Sequence, residues 1–533
     1  MRYRIEQIKL NPEKLTDELR LKKLRAQVEK RVADKIPGRK SSFNVRNLEI
    51  IRESIDARRK PEVKLVYTVD FDCDEKLPFA KGGRREYVSL AGAVDYKGFR
   101  PVIAGFGPCG IFAALILAEA GLMPIVMERG KAMDERVADV ERFWKSAEKE
   151  GPDCEAPNPE SNVQFGEGGA GTFSDGKLTT GIKDVRTSKV LNEFVAAGAD
   201  REILYKQKPH VGTDRLRNVV KNLRTHIESL GGEVRFGTRL DGLEFKDDRL
   251  SAVLTGGERI ETDSLILAIG HSASDTFEML HKEGFAIRQK PFSIGIRVEH
   301  PQTAINCAQY MDAALADIIG PAEYKFNHRC NNGRGVYTFC MCPGGQVVNA
   351  STEAGTSVTN GMSYSARDGK AANSALLVDV RCEDLVYAAL SEGYDADYPL
   401  AGFLFQRKYE RLAWENRTSG GMVRTTYGEF KRDPDNPARK SLPDFVSDGI
   451  LEAMPVFGRK LKGFDSDKTV ITGVESRSSS PVIMERDGSL EALPGVIPAG
   501  EGPGYAGGIM SAAVDGIRAA EAVIRRKVGT NSR

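Results

Sequence analysis

The chain has 533 residues with 41% hydrophobic and 29% charged residues, as in ordinary globular proteins of two or three domains. Its formal net charge of +2 gives no global attraction to nucleic acid, and no apolar run approaches the roughly 18 to 20 residues that span a bilayer. From eight dispersed cysteines and a start without a signal-peptide pattern, we expect a reducing cytoplasm and no disulfide framework.

Residues 1–95 predict a small basic α+β domain. Hydrophobic periodicity predicts strands at 3–10 and 63–71, a helix at 16–33, and a strand or a helix at 45–56. Lysines and arginines outnumber acidic residues here. We favour a solvated face that packs on the next domain, and binding of RNA or an acidic partner is the alternative.

A glycine-rich turn then joins a short apolar strand to an apolar helix, and it contains Gly105, Gly107, Pro108 and Gly110. Such glycines permit a sharp turn, close approach of a pyrophosphate and tight packing of helix on strand. Glu128, followed by Arg129, ends the next strand, where a carboxylate binds ribose hydroxyls and repels a 2′-phosphate. The pattern predicts an adenine dinucleotide other than NADP, and a tight turn without a ligand is the alternative.

A second glycine cluster occupies residues 162–178 and includes Gly169, Thr172 and Lys177. So many glycines suit a loop whose amides approach a ligand closely, although a flexible surface loop has the same composition. An amphipathic helix at 213–230 follows, then a strand at 233–237 with Arg239 and Leu240 behind it. A buried strand within 262–271 ends at a turn that contains Gly270.

Near the carboxyl end, residues 495–509 form another glycine-rich segment that leads into a helix at 510–525. This segment resembles the closing motif of FAD enzymes, and its candidate cofactor contacts are Gly500, Glu501, Tyr505, Ala506, Gly508 and Ile509. With the phrases at 208–214, 293–301, 339–345, 360–363 and 475–482, these motifs resemble a family of predicted FAD-dependent dehydrogenases in the glutathione-reductase-like superfamily.

The resemblance spans the chain from about residue 96 to its end, and it implies a Rossmann-like fold with non-covalent FAD. It places the backbone of Arg239 and Leu240 against the adenine and Gly270 at the middle turn. Glu501 stands where the family has an aspartate that contacts the ribityl chain. The helix that follows would direct its N-terminal dipole at the flavin, where it stabilises the negative charge of the reduced ring. We therefore predict FAD rather than NAD.

The chain carries one dinucleotide motif. We predict an α/β fold with a Rossmann-like FAD-binding domain split between 96–285 and 465–533. A mainly-β substrate or cap domain at 286–464 is inserted, and the small α+β domain precedes both. Within the insert, 336–350 and 375–380 are predicted strands, 402–416 a helix and 432–437 a loop.

Five residues are candidates for catalysis: Cys340, Cys342, His210, His271 and Arg297. Cys340 and Cys342 either act as redox or nucleophilic thiols or form a pocket wall, since a reactive thiol needs an electropositive setting. The two histidines either donate protons or are structural. Arg297 binds an anionic substrate or, as we favour, forms a buried ion pair. The absence of CxxC and HExxH motifs predicts no metal.

The favoured hypothesis is a dehydrogenase-like oxidoreductase in which FAD exchanges a hydride or electrons with a small-molecule substrate and a further electron donor or acceptor. Membranes and nucleic acids are not expected partners. Two alternatives stay open: an FAD-dependent RNA-modifying enzyme anchored by the basic amino-terminal domain, and a scaffold or sensor that binds flavin without turnover.

Overall fold

The computed structural model describes residues 1–35, 44–89, 96–147 and 155–530, with side chains as far as Lys527. The predicted domain boundary at residue 95 lies outside these described segments. Among the described helices, none is long and apolar enough to cross a membrane.

The amino-terminal domain is an antiparallel sheet, in the order β2-β3-β1-β4, with one helix packed on it. Its elements are β1 Arg2–Leu10, α1 Asp17–Lys35, β2 Arg46–Arg59, β3 Glu62–Asp72 and β4 Ala80–Lys81. The ambiguous segment 45–56 is therefore a strand. Helix α1 buries Leu24, Val28 and Val32 against the sheet core, and their spacing of four places them on one helix face.

The flavin-type domain begins with a βαβ unit and continues through a small antiparallel sheet, β8 to β10. Its strands are β5 Val102–Ala104, β6 Ile125–Met127, β7 Glu233–Arg235, β8 Gly242–Lys246, β9 Arg249–Thr255, β10 Glu258–Glu261, β11 Leu265–Leu267 and β12 Ile287–Gln289. Its helices are α2 Pro108–Glu119, α3 Met133–Ala147, α4 Arg186–Ala196, α5 Thr213–Ser229 and α6 Ser274–Lys282.

The inserted domain is an antiparallel six-stranded sheet, in the order β14-β15-β18-β13-β20-β19, with helices packed against it. Its strands are β13 Phe292–Pro301, β14 Asn327–Arg329, β15 Gly335–Cys342, β16 Gln346–Asn349, β17 Thr359–Met362, β18 Ala371–Val380, β19 Val423–Thr426 and β20 Val470–Glu475. Its helices are α7 Gln302–Tyr310, α8 Ala316–Ile319, α9 Val386–Ser391, α10 Ala401–Glu415, α11 Tyr427–Arg432, α12 Pro437–Lys440 and α13 Asp444–Lys460.

The chain then returns to the flavin-type domain through β21 Val482–Met484, β22 Val496–Pro498 and α14 Ile509–Thr530. Strand β22 completes a parallel sheet in the order β22-β11-β5-β6-β7. Helix α14 packs against α2 so closely that a Cβ at Gly516 would lie 2.1 Å from the Cys109 carbonyl oxygen. The predicted α/β class is confirmed.

Two predicted boundaries differ from the structure. Strand β20, which we assigned to the second part of the flavin domain, pairs with β13 and β19 of the inserted sheet. The return therefore comes after Glu475, and it was misplaced because a buried strand has the same apolar pattern in either sheet. The predicted loop at 432–437 is shorter, since Arg432 ends α11 and Pro437 begins α12.

Candidate functional site

A cavity of about 580 Å³ opens where the parallel sheet meets the inserted domain. Ala104, Met127 and Ala268, at or just beyond the carboxyl ends of three parallel strands, contribute to its wall. Open α/β sheets bind ligands at this edge. The opposite wall comes from the inserted domain, including Thr338 to Met341 on β15 and Val358 to Asn360 near β17.

The glycine turn has the geometry of a phosphate cradle. Gly105 has a φ of +103°, which favours glycine, and an added Cβ at Gly110 would lie 1.9 Å from the Gly105 carbonyl oxygen. Gly107 has an ordinary φ of −81°, and its nearest neighbour to an added Cβ is the Gly169 Cα at 3.7 Å. Gly107 and Gly169 line the cavity, as does Pro108 at the first position of α2.

Glu128 lines the cavity and joins the two glycine-rich loops. Its carboxylate accepts hydrogen bonds from the backbone N–H groups of Phe106 at 2.8 Å, Gly130 at 2.9 Å and Gly166 at 2.9 Å. A carboxylate has about four acceptor positions, so one is left for a ribose hydroxyl. The ribose contact stays a prediction, and the structure adds a role in fixing both loops.

Arg136 on α3, which the sequence analysis did not select, holds the glycine-rich loop in place. Its fully buried guanidinium donates to the carbonyl oxygens of Asn162, Val163, Glu167 and Gly169 at 2.6–3.0 Å. Burial lowers the pKa of Arg136 to about 9. Thr172 is buried in the same region and donates to the Glu167 carbonyl oxygen at 3.3 Å. Nothing in the spacing of Arg136 distinguished it from surface arginines.

Next to Glu128 the cavity is edged by charged side chains. Arg129 forms ion pairs with Glu160 at 2.8 Å and Asp275 at 2.9 Å, and its guanidinium lies 4.2 Å above the Phe165 ring centre. Arg239 reaches Glu160 at 3.3 Å. Arg129, Arg239, Leu240 and Gly270 all line the cavity, as the FAD prediction requires of them.

The closing segment contributes both lining and supporting residues. Glu501, Gly508 and Ile509 line the cavity, and α14 begins there. Desolvation raises the pKa of Glu501 to about 7, against the opposing effects of the Gly508 N–H and Lys290.

Behind this lining, Asp515 accepts a hydrogen bond from the Gly500 N–H at 2.8 Å and forms a two-point ion pair with Arg486 at 3.0 Å. The Ala506 N–H donates to the Gly500 carbonyl oxygen at 3.1 Å, and Arg486 lies 3.6 Å above the Tyr505 ring. The sequence analysis missed Asp515, although an acidic residue in the apolar stretch of α14 was a usable signal.

Cys340 lines the cavity and Cys342 lies behind it, where they meet two cations. The Arg297 Nη1 is 3.2 Å from the Cys340 carbonyl oxygen and 4.0 Å from the Cys342 sulfur. Lys177 contacts the Met341 carbonyl oxygen and lies 3.1 Å from Asp175. The electropositive setting that reactive thiols need is therefore present, and Lys177 lies on the thiol side of the cavity.

Arg297 forms the buried ion pair that we favoured. Its side chain is 0% exposed, and Nε and Nη2 donate to the Glu475 carboxylate at 2.5 and 3.1 Å. Nη1 also donates to the Asn373 side-chain oxygen at 2.7 Å. The charge of Glu475 keeps the pKa of Arg297 above its ordinary value despite burial.

The two candidate histidines are separated. His271 lines the cavity with its Nδ1 3.0 Å from the Ser272 hydroxyl, and desolvation lowers its pKa to about 4. Burial also lowers the pKa of His210 to about 4. His210 pairs through its backbone with Lys177. Eight of the predicted site residues do not line the cavity in the described part of the chain: Gly110, Thr172, Gly500, Tyr505, Ala506, Cys342, His210 and Arg297.

Two groups of potential metal ligands lie elsewhere in the described chain: His328 with Cys330 and Glu452, and Glu119 with Glu193 and His226. Polar contacts within the chain already use the carboxylates of both groups. His328 bonds to Glu452 at 3.0 Å, and Lys189 lies between Glu119 and Glu193 at 2.5 and 2.8 Å.

Comparison with known proteins places the chain. It is 42% identical over 560 residues to an uncharacterized protein of Clostridium beijerinckii, and the match covers 99% of each chain. The chain belongs to the same family as this clostridial protein. Residues 291–478 match the family described as "FAD-dependent protein, C-terminal domain-like", and residues 2–72 match a domain of unknown function, DUF8436.

Solved structures of flavoproteins are also similar at 10–14% identity. They include the flavin-dependent brominase Bmp2, with a TM-score of 0.38 over 81% of this chain and 80% of that one. A geranylgeranyl bacteriochlorophyll reductase-like protein of Thermoplasma acidophilum has a TM-score of 0.36 over 81% and 79%. The glycerol-3-phosphate dehydrogenase of Bacillus halodurans, solved with FAD, has a TM-score of 0.35 over 82% and 65%.

The predicted cofactor is confirmed by the FAD-dependent family match, and FAD is the cofactor of this protein. The cavity fits this group. The space beside Gly107 admits a close backbone approach, Glu128 keeps an acceptor position, and α14 begins at the cavity wall. Bound FAD supplies the two-electron chemistry, and the protein supplies position and charge.

Proposed function

We propose that the protein is an oxidoreductase of the glutathione-reductase-like superfamily that binds FAD non-covalently and exchanges a hydride or electrons with a small-molecule substrate in the cytoplasm. One observation carries this proposal: a single cavity joins the dinucleotide-type glycine turn to side chains of the inserted domain. The glycine side suits a cofactor and the inserted side suits a substrate.

Different residues of this cavity would bind different parts of FAD and the substrate. The turn from Gly105 to Pro108 and Glu128 would hold the pyrophosphate and ribose, and Arg239 and Leu240 would border the adenine. The N-terminus of α14 at Ile509 would stabilise negative charge that develops on the reduced ring. His271 is neutral at physiological pH because its pKa is lowered, so it can donate one ring N–H to a substrate.

Purification in the dark, followed by absorbance spectroscopy and titration with FAD, tests the cofactor site. Anaerobic photoreduction and timed reoxidation by added acceptors then test the redox activity. We expect a yellow protein with one FAD per chain whose reduced form is reoxidised within seconds by at least one acceptor. Protein that takes up no FAD, or whose reduced flavin no acceptor reaches, would exclude this function.

Nucleic acid is not a partner in this proposal. Basic residues of the amino-terminal domain lie beside acidic ones, as in Arg4 with Asp70 at 2.7 Å and Arg20 with Glu53 at 3.6 Å. The same domain is attached to its neighbour by hydrogen bonds from Glu53 N–H to Tyr205 O and from Gln207 N–H to Glu53 O, each 2.8 Å. These contacts support the packing interpretation over an RNA anchor.

A further inference from the structure

A β-bulge shapes the strand that carries the two cysteines of the site. In the pairing of β15 with β18, Phe339 faces Ala375 and Cys342 faces Asn373, so Cys340 and Met341 together oppose one residue. Cys340 has a φ of +42°, in the left-handed region that few residues other than glycine adopt. Such backbone conformations persist where surrounding contacts hold them, often at functional sites.

The bulge folds the Cys342 thiol back onto residue 340. The Cys342 sulfur lies 3.2 Å from the Cys340 carbonyl oxygen, to which its thiol donates a hydrogen bond. Disulfide bonds need such proximity, which the sequence spacing alone does not guarantee.

The surroundings favour different charges on the two sulfurs. The Cys342 side chain lowers the pKa of Cys340, and Lys177 and Arg297 lower it further. The Cys340 side chain, with burial, raises the pKa of Cys342 well above its usual range. These directions favour a thiolate at the cavity wall and a protonated thiol behind it. This is the combination that thiol–disulfide chemistry needs, because a thiolate reacts and a neighbouring thiol resolves the product.

Two fixed cations support this pair. Arg297 is held by Glu475 and Asn373, and Lys177 by Asp175, which also pairs with Arg367 at Nε, 3.0 Å away. Asp175 lies in the glycine-rich region and Arg367 in the inserted domain, so the cluster spans the wall between the two domains. A pocket wall made for packing alone does not need a buried arginine and a half-buried lysine beside a pair of thiols.

We propose that Cys340 and Cys342 form a redox-active dithiol that exchanges two electrons with the FAD of this cavity by making and breaking a disulfide bond. The inference rests on the proposed function. In the oxidising direction, one S–S bond forms as the Cys340 thiolate and the Cys342 thiol lose two electrons and one proton. FAD gains both electrons and that proton and becomes FADH⁻. The net charge of the cavity is unchanged, so the step leaves no new uncompensated charge in a buried site.

Anaerobic titration with dithionite, after mild oxidation, directly counts the electrons that the disulfide accepts. The oxidised FAD-loaded wild type should take up two electrons more per FAD than Cys342→Ser or Cys340→Ser. Cys307→Ser is the matched control because Cys307 is an exposed thiol, and it should behave as the wild type. Equal uptake by all four proteins would overturn the proposal. Failure of the proposed function would instead show before titration, as absent flavin absorbance.

A measurement on FAD-free protein keeps the test independent of turnover. After equilibration in glutathione redox buffers, non-reducing peptide mapping should find a Cys340–Cys342 disulfide in the more oxidising buffers. In reducing buffer, iodoacetamide should modify Cys340 at neutral pH, where a free thiol of pKa about 8.5 is mostly protonated. Lys177→Met should slow this modification, because removal of the cation raises the pKa of Cys340. A pair that stays reduced throughout, or a Cys340 that reacts only in alkali, would contradict the proposal.

Discussion

Two glycines of one turn differ in the space that they leave for a side chain. Replacing Gly107 with alanine adds a methyl group whose nearest protein atom is 3.7 Å away, at an ordinary φ, so the fold should tolerate it. The methyl group would occupy the space needed by the pyrophosphate. We expect FAD affinity to fall by on the order of 10- to 100-fold, as measured by flavin fluorescence, with an unchanged urea midpoint.

Gly110→Ala should instead lower the stability of the fold. Its Cβ would lie 1.9 Å from the Gly105 carbonyl oxygen, and overpacking of this kind costs about 1–3 kcal/mol of unfolding free energy. Gly181→Ala, where nothing lies within 4 Å, controls for the substitution itself. A Gly107→Ala protein that binds FAD normally would argue against this position of the pyrophosphate. The sequence motif named both glycines, and only the coordinates separate Gly107, which has open space beside it, from Gly110, which has none.

Some secondary-structure elements could be predicted from the sequence, and others could not. The βαβ unit of β5, α2 and β6 could be predicted because apolar runs bounded by glycine turns specify it locally. The grouping of β20 with the inserted sheet depends on pairing with distant strands, which periodicity does not encode. The two-cysteine site combines both cases. Cys340 and Cys342 are two residues apart in sequence, whereas Lys177 and Arg297 come from two distant parts of the chain.

Asp515 is one of the buried acids of helix α14. Asp515→Ala would leave the Arg486 guanidinium, whose side chain is 10% exposed, without its partner and the Gly500 N–H without its acceptor. Removing one member of a buried pair costs about 3–5 kcal/mol, so the urea midpoint should fall clearly. Arg518→Ala on the same helix breaks an exposed pair with Asp184 and should cost less than about 1 kcal/mol. Similar losses of unfolding free energy in Asp515→Ala and Arg518→Ala would show that the buried pair of Asp515 does not stabilise the helix.

At the scale of the whole molecule, the site is assembled from distant stretches of chain. Residues from Ala104 to Ala512 meet at one cavity, and the inserted domain lies between the two parts of the flavin-type domain in sequence. The sequence predicted this convergence through the order of its motifs. It predicted that the amino-terminal domain packs on its neighbour but not where, because the backbone hydrogen bonds at Glu53 can be made by any residue type.

Residues from both parts of the flavin-type domain line the cavity in the folded state, so FAD that binds there should stabilise the protein as a unit. FAD present at 100 times its dissociation constant should add about 2.7 kcal/mol to the free energy of unfolding. Thermal unfolding followed by circular dichroism should therefore show one transition that moves upward with FAD concentration. In Gly107→Ala, the same upward shift of the transition should need a higher FAD concentration, in proportion to the loss of affinity. A transition that does not move, or that moves for only part of the helical signal, would show that the cavity is not the point where the two parts of the domain are joined.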